Sequence, residues 1–254
     1  MFKSNSLESS SLKSRSFTTA SAQILALAMG AVLTVAGAHA QPLAPSPGAA
    51  PANSFVVGKD YFLIEPVQTT PGSDKVEVTE VFSYGCPACN SFAPTANKLK
   101  ASLPPNATFN LVPASFNSAE SWPLFQRAYL TAKALGIAEK GHDAMFKAVW
   151  DNGPLSIRDA KTGKMLTPKI EDVAAFYSQY GVKAEDFVAT ANSFAINTGM
   201  KRADAFIKAT GVDSTPTIIV NGKYRVTGSS AGNWDRLIEL VNHLVRQESE
   251  AHSG

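Results

Sequence analysis

Only two cysteines occur in the 254 residues, so this chain has no framework of long-range disulfide staples. Histidine is as scarce, with four in all. His39 lies near the N-terminus, and His142, His243 and His252 are all far along the chain from the cysteines. A tetrahedral zinc site needs about four nitrogen or sulfur ligands, so the chain offers no ready metal site. Charge of one sign is also lacking: 23 Lys and Arg stand against 21 Asp and Glu, with no basic cluster, which argues against a nucleic-acid surface. Long apolar runs are missing too. The longest, Ile24 to Ala36, is broken by Gly30 and falls short of the roughly 20 residues that span a bilayer.

That one apolar run has a specific setting. Lys3, Lys13 and Arg15 precede it, and Ala38-His39-Ala40 follows with small residues at both positions of a signal-cleavage site. Residues 1–40 therefore read as an export signal cleaved after Ala40, and no cysteine follows the run to carry a lipid. Cleavage leaves 214 residues and removes three basic side chains and one acidic one, so 20 of each sign remain. At 44% hydrophobic and 17% charged, that remainder can bury a sizeable core. Residues 41–54 are rich in Pro, Ala and Gly without apolar periodicity, which predicts a flexible linker.

Tyr61 to Ile64 predicts a short strand, and the alternating, β-branched Val76-Glu77-Val78-Thr79-Glu80-Val81-Phe82 a firmer one. A helix is expected from Cys86 to Leu103, then a strand over Thr108 to Val112. Strand, helix and strand at this spacing imply a parallel pair with a right-handed crossover. Residues 117–193 read as helix throughout, with segments stopping at Gly136, near Gly153 and at Gly181. Another helix follows from Phe194 to Thr210. Thr217 to Val226 forms a β-hairpin around Asn221-Gly222, a strong two-residue turn signal. A closing amphipathic helix spans Asn233 to Gln247, with Trp234, Leu237, Ile238, Val241, Leu244 and Val245 along one stripe. No internal repeat is present.

The two cysteines stand at Cys-x-x-Cys spacing in Ser83-Tyr84-Gly85-Cys86-Pro87-Ala88-Cys89. A bridge between Cys86 and Cys89 closes almost no loop, and so restricts the unfolded chain little. It can open and close as a small ring, which makes this pair the candidate redox centre. Cys86 precedes the helix, where free backbone N–H groups and the positive dipole end face its sulfur and lower its pKa. It is the expected nucleophile and leaving group. Cys89, one turn in and facing the interior, is the expected resolving thiol. Pro87, early in the helix, removes an N–H that has no partner there. Glu80 shares a strand face with Val78 and Phe82, which implies burial and a raised pKa; a solvent-facing glutamate on an edge strand is the alternative.

In this order, with Cys-x-x-Cys at the strand–helix junction and Thr-Pro before the hairpin, the chain resembles the thioredoxin-fold disulfide oxidoreductases of DsbA type. The resemblance covers Asp60 to Gln247. It is carried by Glu80 to Cys89, by Gly211-Val212-Asp213-Ser214-Thr215-Pro216 and by Asn221-Gly222-Lys223-Tyr224. It implies an α/β thioredoxin fold, with a helical subdomain inserted between the third strand and the following helix. The first part of that fold would span residues 55–116, the insertion 117–193 and the second part 194–254. It also implies a periplasmic, monomeric oxidase that passes a disulfide to reduced or unfolded exported proteins. A DsbB-like, quinone-linked membrane protein would reoxidise it, and the Cys86–Cys89 disulfide would serve in place of a cofactor or metal. Thr215-Pro216 corresponds to the family's cis-proline loop, which packs against the disulfide and meets substrate; the Thr215 hydroxyl would lie near the sulfurs. Glu80 matches the family's buried acid, placed to exchange a proton with Cys89.

Two departures bear on redox strength. The family's familiar members carry histidine where this chain has Ala88. A basic residue found near the buried acid in some members is missing from Phe109-Asn110-Leu111-Val112-Pro113. The rival readings are a disulfide isomerase or reductase, which often carries a dimerisation domain ahead of the catalytic one, and a thioredoxin-fold metal carrier, which would want His or Met beside the cysteines. His142 and His243 read as surface residues, and His252 as part of a fraying tail. Phe116, Trp122, Phe125, Tyr129, Trp150, Phe176 and Phe187 read mainly as core.

Overall fold

The computed structural model describes residues 54–68 and 75–253. The signal, its cleavage point and residues 41–53 of the linker lie outside the described residues. Five strands form one mixed sheet in the order β1-β5-β4-β2-β3. They are β1 (Phe62–Leu63), β2 (Val76–Phe82), β3 (Ala107–Pro113), β4 (Thr217–Val220) and β5 (Tyr224–Thr227). β2 and β3 run parallel, registered from Val76 opposite Ala107 to Phe82 opposite Pro113. Helix α1 (Pro87–Ser102) makes the crossover between them. β4 pairs antiparallel with both β2 and β5, and β1 closes the edge against β5.

β2 lies between β4 and β3, which explains why six of its seven residues are buried. Its alternation sends Val76 and Val78 into a core with Phe92 and Leu99 of α1. Val81 points the other way, onto Ile207 of α6 (Phe194–Ala209). The hairpin turns where expected. Asn221 and Gly222 both take the left-handed conformation, with φ of 51° and 64°. A Cβ on Gly222 would meet the Gln68 carbonyl, so glycine is required there twice over.

Between β3 and α6 stand α2 (Trp122–Ala134), α3 (Ala138–Trp150), α4 (Ile170–Tyr177) and α5 (Ala184–Ala191). Phe125, Tyr129, Phe146, Tyr177 and Phe187 build a second core there, continuous with Phe82 and Tyr84. A fully buried phenylalanine such as Phe125 or Phe187 contributes about 1.5–3 kcal/mol. Asn152, at φ 55°, takes the left-handed position after α3, one residue before Gly153. Phe116 is a correction: it is 43% exposed, its ring 6.0 Å from Trp122.

A helical turn the sequence did not suggest, α7 (Gly228–Ala231), follows the hairpin. Thr227 caps it, accepting from the Ser230 N–H at 3.0 Å. The closing helix α8 runs from Trp234 to Ser253, beyond the expected end at Gln247. Its buried stripe includes Leu240, while Ile238 is only partly covered. The side chain of His252 lies outside the described residues.

Candidate active site

β2 ends inside the core, and its chain turns at once into α1. The Ser83 carbonyl accepts from the Cys86 N–H and its hydroxyl from the Gly85 N–H, both at 3.1 Å. Gly85 packs under Trp122, where a Cβ would come within 3.3 Å of the indole. Cys86 is the N-cap of α1, in extended conformation, with Pro87 in the first turn. Pro87 and Ala88 are exposed. The helix start thus presents N–H groups to the Cys86 sulfur and no acidic side chain.

The two thiols differ sharply. Cys86 is 6% exposed, and its Sγ–H donates to the Thr215 carbonyl at 3.4 Å. Cys89 has no exposure. The Cys86 thiolate accepts hydrogen bonds from the Cys89 thiol, the Thr215 side chain and the backbone of Cys89 and Ala88. Together these outweigh burial and bring its pKa from 9.0 to about 6. Burial pushes the Cys89 thiol far upward, and the charges of Cys86 and Glu80 add to the effect.

Thr215–Pro216 is a cis peptide, as is Glu65–Pro66. Pro216 is buried and Thr215 half-buried. Together with Ala88, Ser214, Gly228 and Trp234 they line an open groove of about 500 Å³ beside Cys86. The α7 turn supplies one wall; at Gly228 a Cβ would collide with the Trp234 ring.

Glu80 is 2% exposed, on the strand face shared with Val78 and Phe82. Among the described residues its Oε2 has no hydrogen-bond partner. Burial first, and then the Cys86 charge, raise its pKa from 4.5 to about 8. It therefore stays protonated at neutral pH. A groove of about 450 Å³ between α1 and α3 reaches it, lined also by Tyr129, His142 and Lys133.

His142 corrects the sequence reading. It is partly buried among aromatic rings, with Phe82 at 5.1 Å and Phe146 at 5.3 Å between centroids. Its Nδ1 lies 2.9 Å from the Tyr84 hydroxyl. The signal available was the α3 face on which His142, Phe146 and Trp150 recur at every fourth residue, but its partner lies 58 residues away. His243 also has a packing role, its ring 5.4 Å from Phe55. Among the described residues, no three His, Cys, Asp or Glu side chains gather as metal ligands, and no helix is long and apolar enough to cross a membrane.

Comparison with known proteins places this geometry. The sequence model of the thioredoxin family matches residues 72–240. The thiol:disulfide interchange protein DsbA of Pseudomonas aeruginosa is 36% identical over 205 residues, covering 80% of this chain and 90% of that protein. The protein of the same name from Azotobacter vinelandii is 30% identical over 226 residues, covering 89% and 96%. The crystal structure of Pseudomonas aeruginosa DsbA superposes with a TM-score of 0.67 at 31% identity, covering 80% of this chain and 99% of that one. The oxidoreductase DsbA of Xylella fastidiosa gives a TM-score of 0.67 at 35% identity, covering 76% and 97%.

Proposed function

Because this chain belongs to the DsbA family of thioredoxin-fold thiol:disulfide oxidoreductases, we propose that it oxidises exported proteins in the periplasm through a Cys86–Cys89 disulfide, with Cys86 as the exchanging sulfur. The observation that carries the assignment of roles is the asymmetry of the two thiols. Cys86 caps α1 beside the cis-proline loop, and Cys89 is sealed beneath it.

A substrate thiolate attacks the Cys86 Sγ, the Cys86–Cys89 bond breaks, and Cys89 departs with the electron pair. Glu80, protonated at neutral pH, supplies the proton that the strongly basic Cys89 sulfur takes up. A second substrate thiolate then attacks the substrate sulfur of the mixed disulfide and releases Cys86 as thiolate. Two electrons pass from substrate to protein. The acidified Cys86 is a good leaving group, which favours disulfide donation over retention. Thr215 and Pro216 offer the edge along which substrate lies. Reoxidation falls to a DsbB-like, quinone-linked membrane protein, and the monomer carries the whole site. Residues 1–40 would direct export and leave after Ala40.

The test is stoichiometric. Oxidised protein mixed with a reduced, unfolded substrate should consume two substrate thiols per molecule and emerge as the dithiol. Unchanged substrate thiols, with the protein still oxidised, would overturn the reading.

Ala88 bears on how strong an oxidant this is. With alanine there, only hydrogen bonds from the neighbouring thiol, Thr215 and the backbone hold the thiolate. A histidine could add a charge-assisted hydrogen bond. Ala88→His is expected to lower the Cys86 pKa by about 1–2 pH units and raise the reduction potential by about 30–60 mV. Thiolate absorbance titration and equilibration with glutathione would read both. If neither moves, other contacts, Thr215 first, set the poise.

A further inference from the structure

From its contacts with Tyr84, we infer that His142 is a positioning residue for the Cys86 loop, acting from the inserted helix α3 through the Tyr84 side chain. The inference rests on the proposal that Cys86 is the nucleophile. Tyr84 has no solvent exposure and stands two residues before Cys86, within the turn that Ser83 closes. One face of α3 grips it along its length. The His142 Nδ1 meets its hydroxyl at 2.9 Å, the Phe146 ring lies 5.0 Å from its own, and the Trp150 Nε1–H donates to its carbonyl at 2.8 Å. These three residues recur at every fourth position, which stacks them on one side of a helix. The Tyr84 hydroxyl and carbonyl therefore both bond to α3, an element of the insertion, while the hydroxyl also faces Tyr177 of α4.

The chemistry of the pair suits a fixed tether. Burial keeps the imidazole neutral, with a pKa near 4, so Nδ1 is free to accept from the tyrosine hydroxyl. Burial also keeps the phenol protonated, and hence a donor. Without His142 that hydroxyl would lose its Nδ1 partner inside the core, and the side chain would shift to find another. The turn at Ser83 would move with it. The N–H groups of Ala88 and Cys89 stabilise the Cys86 thiolate only while they remain aimed at it, since hydrogen bonds weaken steeply with misalignment.

The test titrates the Cys86 thiolate by absorbance in reduced wild type, His142→Phe, His142→Gln and Tyr84→Phe, with melting temperatures alongside. His142→Phe should raise the Cys86 pKa by about 0.3–1 pH unit, and Tyr84→Phe should reproduce that rise. The double variant should titrate no higher than either single one. His142→Gln, whose amide can still bond to the hydroxyl, should restore most of the wild-type value. Tyr84→Phe removes a single oxygen and keeps the question answerable if His142→Phe fails to fold. Unchanged Cys86 titrations in the folded variants, even with lower melting temperatures, would overturn the inference by leaving the bond a purely structural role. Mass-mapped alkylation of the reduced wild type separates the two levels: if Cys89 labels first, the nucleophile assignment itself has failed.

Discussion

Cys89→Ser is expected to accumulate mixed disulfides with substrate proteins, and Cys86→Ser to form none. The two thiols lie three residues apart but in opposite surroundings. Cys86 keeps slight exposure at the N-cap, and its pKa is brought down to about 6, so most of it is thiolate at pH 7. Cys89 lies wholly within the core and holds its proton. Only the thiolate attacks. In Cys89→Ser the surviving Cys86 thiolate still exchanges into substrate disulfides, but the thiol that would cut the mixed bond is gone. Both variants should lose net disulfide transfer. In the reduced wild type, alkylation should favour Cys86 by about a hundredfold or more at pH 7, set by the difference in thiolate fraction. Non-reducing gels of each variant with substrate, and peptide mapping of the label, give the answer. Trapping by Cys86→Ser in place of Cys89→Ser would reverse the roles.

Glu80→Gln is expected to stabilise the fold and slow the exchange. Folding carries the carboxyl from a pKa of 4.5 to about 8, so the folded protein binds a proton here that the unfolded chain does not. Stability from this group is complete below 4.5 and is lost as pH rises to about 8. At 1.36 kcal/mol per pH unit that interval amounts to about 5 kcal/mol. His142 has the opposite sign: its pKa falls from 6.5 to about 4, so it adds stability as pH climbs through that range. Above 6.5 only Glu80 of the two still titrates. Near pH 7 the glutamine variant should therefore gain about 3 kcal/mol, or about 6–12 °C in melting temperature. Its exchange rate should fall and lose the pH dependence that a proton donor near pH 8 confers. Parallel melting curves of variant and wild type from pH 5 to 9 would show that Glu80 carries no buried proton. An unaltered rate–pH profile would remove it from the proton path.

A protein gaining stability from the loss of one carboxyl implies that the wild type keeps Glu80 at a cost. Its Oε2 has no partner among the described residues, although Tyr129 and His142 line the same groove. A buried polar atom left unpaired in this way points to a chemical use, and the proposed exchange with Cys89 is one.

Much of this protein is local, and the local part was legible. Pro87 marks a helix start, because the N–H it lacks has no partner in the first turn. Asn221 and Gly222 specify a turn by left-handed backbone. The alternation of Val76 to Phe82 predicts a strand with Glu80 among apolar neighbours. Each depends on residues within a turn or two of one another, where periodicity and backbone preference act directly. The element order they produce, with helices inserted after a strand–helix–strand unit, is the thioredoxin arrangement observed.

Contacts across long separations form only in three dimensions, and spacing gave no sign of them, although the family resemblance placed Thr215 near the sulfurs. The Thr215 carbonyl reaches Cys86 from 129 residues away, and His142 reaches Tyr84 across 58. Sequence spacing carries no signal for such pairs, because they meet only once sheet order and helix packing bring them together. His142 was therefore misread as surface, and Phe116 as core. The sequence by itself determined which sulfurs stand at the helix start and what elements surround them. The tertiary structure decided how strongly the Cys86 thiolate is held and how deeply Cys89 is covered, because partners distant in sequence and the depth of burial set that balance.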